Sequence, residues 1–98
     1  MVGAAAPAEP TAEVQELCDG LREAAQTAAQ AAGWNGVFAE FTAVSVLSQV
    51  VAGTNYFVKV APTDDEYAFL RIYDRFGEVS LTSIQLGKSK ADELEYFE

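Results

Sequence analysis

Few side chains in this sequence are equipped for catalysis. It contains no histidine, so the commonest general base and the commonest metal ligand are both absent. A Ser/His or Cys/His nucleophilic pair is therefore impossible. What remains is one cysteine, Cys18, and two acidic groups, Asp64-Asp65-Glu66 and Asp92-Glu93-Glu95. Neither acidic group offers the series of oxygen ligands around a glycine that a calcium loop requires. Both read as solvated charge, one in a turn and one in a tail. Cys18 falls on the apolar stripe of a helix and reads as a small core residue rather than a reactive thiol. Trp34, just after Gly33, reads as a core or lid residue rather than a ligand platform. No metal, cofactor or enzymatic activity is expected.

The residues suited to binding lie elsewhere. Gln49-Val50-Val51-Ala52-Gly53-Thr54 places two valines and an alanine at a turn tip, where polar residues are expected. Such side chains supply apolar area with few rotamers to lose on binding. Gly53 permits a backbone geometry that a side chain would obstruct. A bulky replacement there is expected to weaken binding and leave the fold intact.

Several elements must position this tip. Residues 1–10, with Pro7 and Pro10, read as an extended, flexible N-terminal arm. Thr11 can cap a helix. From Ala12 to Ala32, Val14, Leu17, Cys18, Leu21, Ala25, Ala28 and Ala32 recur at helical spacing, with Glu13, Gln15, Glu16, Arg22, Glu23 and Gln26 on the other face. Gly33 is suited to end the helix. The period then becomes strand-like. Strands are expected over Val37–Gln49, Thr54–Ala61, Glu66–Phe76 and Val79–Leu86, with turns at Ala52-Gly53, 62–65 and Gly77 and a loop from Gly87 to Lys90. Ala91–Phe97 either adds a last short strand or hugs the sheet edge. Successive strands with short connections pair antiparallel. The fold class is therefore α+β: one domain over residues 1–98, with a single helix packed across an antiparallel sheet.

Composition narrows the partners. With 98 residues the chain makes one small domain with a thin core. Fifteen acidic residues against 6 basic ones give a net charge of −9, which repels nucleic-acid phosphates and anionic membrane surfaces. No segment approaches the roughly 20 apolar residues of a membrane span. One cysteine allows no internal disulfide, and residues 1–10 lack the pattern of a signal peptide. A reducing, cytoplasmic compartment is expected.

The string Ser48-Gln49-Val50-Val51-Ala52-Gly53-Thr54-Asn55-Tyr56-Phe57 resembles the cystatin superfamily. It is joined by Phe41-Thr42-Ala43-Val44-Ser45 before it and Asp92-Glu93-Leu94-Glu95-Tyr96-Phe97 at the end. The match is to the intracellular branch, the stefins, and covers nearly the whole chain. The resemblance implies a five-stranded antiparallel sheet wrapped around the helix. It also implies a reversible, tight-binding, competitive inhibitor of papain-like cysteine proteases of the cathepsin type, acting as a wedge in the active-site cleft. Carried over by position, the wedge comprises Val2 and Gly3 in the arm, Gln49, Val50, Val51, Ala52 and Gly53 in the first hairpin, and Arg75, Phe76 and Gly77 in the second. The chain is expected to be a monomer that can form a domain-swapped dimer. Two departures stand out. Stefins usually carry Leu-Pro in the second loop, where this chain has Phe76-Gly77 and a shorter turn, and residues 28–36 are longer than usual. The altered loop leaves open an alternative: a cystatin-fold protein-binding module without protease inhibition.

Overall fold

A computed structural model describes residues 5–33, 41–61, 66–95 and 97. The elements are β1 (Ala6–Ala8), α1 (Ala12–Ala31), β2 (Thr42–Val51), β3 (Gly53–Ala61), β4 (Tyr67–Arg75) and β5 (Glu78–Lys88). The strands form one antiparallel sheet in the order β1-β2-β3-β4-β5, with the helix on one face. The expected α+β class and five-stranded sheet are both observed.

Helix α1 starts and stops as its sequence dictates. The Thr11 hydroxyl oxygen accepts a hydrogen bond from the Val14 amide at 3.3 Å, which satisfies one of the free donors of the first turn. Gly33, at φ 95°, follows the last turn. Val14, Cys18, Ala25 and Ala29 are buried on a stripe that meets Val46, Val58, Val60, Leu70 and Ile72 of the sheet. One assignment is corrected. Gln15, read as outward-facing, is half-buried and ties α1 to the start of β2. Its Nε2 donates to the Phe41 carbonyl at 2.8 Å, and its Oε1 accepts from the Ala43 amide at 2.9 Å. The two bonds satisfy backbone groups beside the irregular register between Ala43 and Ser45.

Cys18 is buried in this core, as its place on the stripe implies. Burial, reinforced by the Asp19 charge, pushes its thiol pKa up to about 12. The thiolate is the nucleophile, so the native chain should resist iodoacetamide at pH 8 and be labelled once it is unfolded in guanidinium. Equal labelling rates in the two states would contradict this placement.

The two ends of the chain depart from expectation. The fifth strand comes from the arm: Ala6–Ala8 pairs with Val46–Ser48. At these residues the arm is tied to the sheet. Among the described residues of the tail none forms a strand or hugs an edge; they lie across the face opposite the helix. There Phe97 packs edge-on against Phe57, with ring centroids 5.8 Å apart, and beside Phe69. Arg71 Nη1 donates to the Phe97 carbonyl at 3.1 Å. Lys59 is buried, and its ammonium donates to the carbonyls of Lys90 at 2.9 Å and Asp92 at 2.6 Å, with the Tyr67 ring centroid 4.9 Å away. A buried cation is costly unless its donors are satisfied, and the tail carbonyls meet that need. Strand bounds shift modestly. β2 runs on to Val51 and β5 takes in Gly87 and Lys88. Residues 37–40, Trp34 and the turn 62–65 lie outside the described residues.

Candidate functional site

The antiparallel meander brings two hairpin tips to one end of the sheet. β2 and β3 meet at Ala52, between the paired residues Val51 and Gly53. β4 and β5 meet at Phe76-Gly77, between Arg75 and Glu78. Because β3 and β4 are antiparallel and joined at their far end, Thr54 lies opposite Asp74 and the tips are neighbours. β1 lies antiparallel to β2, so its N-terminal end points the same way: Ala6 stands opposite Ser48 and Ala8 opposite Val46. Val2 and Gly3, the expected arm residues, lie outside the described residues.

Both tips present apolar side chains to solvent. Val50 is 70% exposed and Phe76 is 90% exposed. Ala52 and Arg75 are exposed too, and Val51 is half-buried. Two large apolar side chains exposed at one edge make that edge the candidate interaction surface. Phe76 therefore lies outside the core, at the surface of the second tip. Its backbone is unusual as well. Phe76 has φ 52° and Gly77 has φ 92°. Two central residues with positive φ are the mark of a type I′ hairpin turn, which favours Asn-Gly. The Gly77 amide donates to Asp74 Oδ1 at 3.1 Å.

The first tip is braced from behind. Gln49, expected among the contact residues, is only 7% exposed. Its Oε1 accepts from Asn55 Nδ2 across the hairpin at 3.0 Å, so its side chain serves the loop's shape. Gly53 has φ 128°, and a Cβ there would lie 2.7 Å from the Asp74 carbonyl oxygen. The expectation that a bulky residue at 53 spares the fold is thereby corrected, because the obstruction is β4 backbone within the chain itself. The Tyr73 hydroxyl donates to the Ala52 carbonyl at the apex of the turn. Asn55, Tyr73 and Asp74 were invisible as site residues in the sequence. The role of Asn55 depends on the β2–β3 register and those of Tyr73 and Asp74 on the β3–β4 register, which no local pattern encodes.

Among the described residues no three His, Cys, Asp or Glu side chains are grouped to hold a metal ion, and the one thiol is buried in the helical core. No described helix is long and apolar enough to cross a membrane. What the arrangement offers is a narrow apolar ridge on a rigid sheet.

Comparison with known proteins gives consistent results. A family model described as the cystatin domain matches residues 3–76, a span that ends on the second tip. Cystatin-B of Pan troglodytes is 40% identical over 102 residues, covering 99% of both chains. Cystatin-B of Homo sapiens is 39% identical and that of Sus scrofa 37%, each with the same coverage.

Proposed function

The chain belongs to the cystatin family, a family of cysteine protease inhibitors rather than enzymes, and from that premise we propose that it is a reversible, tight-binding, competitive inhibitor of papain-like proteases of the cathepsin type. The observation that carries this reading is the single edge on which Val50, Val51, Ala52 and Phe76 stand together. A protease cleft is concave and largely apolar, and a ridge held by a sheet enters it with little ordering cost. Val2 and Gly3 of the arm supply a third contact with the protease, a role supported by the paired segment Ala6–Ala8, which runs towards the same edge. Arg75 and Gly77 flank the aromatic tip. The hairpins fill the cleft without offering a carbonyl in near-attack geometry to the protease thiolate, so the inhibitor is not consumed. The cytoplasm is the compartment in which we place it, and the functional form is the monomer, with exchange of elements between two chains as an accessible dimer.

Titration of papain with the purified chain tests this directly. Stoichiometric loss of activity at nanomolar concentrations, reversed on dilution, is expected. Full papain activity at micromolar inhibitor would refute it. That second outcome would favour a binding module on the same fold, a reading supported by the Phe76-Gly77 turn where relatives of the stefin type carry Leu-Pro.

A further inference from the structure

Tyr73 plays no part in the reading above, yet it touches the first tip at two points. Its hydroxyl donates to the carbonyl of Ala52, the apex residue. Its ring borders Gly53: a Cβ at that position would lie 3.1 Å from both the Cε1 carbon and the hydroxyl oxygen. Tyr73 also stands opposite Asn55 in the β3–β4 register, and Asn55 is the residue that holds Gln49. Three residues further along the chain, the same strand leads into Phe76 at the second tip.

From these contacts we infer that Tyr73 is a positioning residue, pinning the apex of the first loop to the strand that carries the second so that both tips meet the protease as one rigid edge. The inference rests on the inhibitor reading. Its physical basis is preorganisation. A peptide unit beside a glycine samples several orientations, and ordering it at the moment of binding lowers affinity. The Tyr73 hydroxyl orders the Ala52–Gly53 peptide beforehand. Among mutants of one interface such an effect falls mainly on the dissociation rate.

Tyr73→Phe keeps the ring and removes only the hydroxyl. In the free chain the Ala52 carbonyl carbon resonance should shift, and exchange of the Gly53 and Thr54 amides should quicken by about fivefold, the factor that one ordinary hydrogen bond is worth. Dissociation from papain should quicken by a similar factor of about five, with association within about twofold. Dissociation is read on complexed, folded molecules, so partial unfolding of a sample does not enter it. An unchanged Ala52 resonance and unchanged exchange overturn the brace. Wild-type inhibition with a Tyr73→Phe dissociation rate matching the parent overturns the positioning role alone. A wild-type chain that leaves papain active overturns the inhibitor reading, and the binding role of Tyr73 falls with it.

Discussion

Phe76→Asn is expected to melt at a higher temperature than the parent and to inhibit papain far less well. The two effects have separate causes at one residue. Phe76 sits at φ 52° in a two-residue turn with Gly77 at φ 92°. A left-handed backbone costs most L-residues about 1–2 kcal/mol, and asparagine tolerates it because its short polar side chain bonds locally. Phe76 is 90% exposed, so its removal forfeits almost no packing. A gain of about 1 kcal/mol raises the melting temperature of a domain this size by about 4–8 °C. Against the protease the sign reverses. An aromatic anchor that becomes buried at an interface is worth about 2–4 kcal/mol, so the inhibition constant should rise at least about thirtyfold. A thermal melt and a papain titration of the two chains decide both halves. Equal inhibition would remove Phe76 from the wedge, and a lower melting temperature would contradict the turn argument. A hairpin that keeps a bulky residue in a disfavoured conformation retains it for something other than stability.

Gly53→Ala is expected to damage both fold and function. The φ of 128° is one that side chains rarely adopt, and the added Cβ would lie 2.7 Å from the Asp74 carbonyl oxygen. Backbone strain of this kind costs about 1–3 kcal/mol. Overpacking against a fixed backbone costs about the same again. A total near 3 kcal/mol lowers the melting temperature by about 15 °C. Relief requires the first tip to move away from β4, which separates the two tips. Inhibition should then fall more than about a hundredfold even when referred to folded protein, as expected when several apolar contacts are displaced together. Circular dichroism melts and papain titration check it. A Gly53→Ala chain that melts within about 2 °C of the parent would show that β4 yields and does not constrain the loop.

These two residues also mark the limit of what local sequence encodes. The special backbone geometry of the glycine was legible, and its close approach to the Asp74 carbonyl was not. The apolar string Val50-Val51-Ala52 announced a tip that is not a core turn, and alternation placed the strands on either side of it. Gln49 was assigned to the contact surface by its place in the string, whereas folding turns its side chain inward onto Asn55. Tyr73 carried only the alternation of a strand, with no sign that its hydroxyl reaches another hairpin. Likewise strand alternation sets Lys59 on the face of Phe57, with no sign that the tail carbonyls of Lys90 and Asp92 close over its ammonium.

By itself the sequence determined that the chain has one helix followed by a meander of strands. Those features follow from periodicity, a threonine cap and glycine-marked turns, all of which act over a few residues. It also determined that no Ser/His or Cys/His pair can form, since a missing histidine cannot be restored by folding. Tertiary structure alone decided that the fifth strand is Ala6–Ala8, that the tail covers a face, and that Gly53 answers to Asp74. Each is a contact between segments distant in the chain. Register and face packing choose among the pairings that local propensity permits, and only the folded chain brings both sides of each contact together.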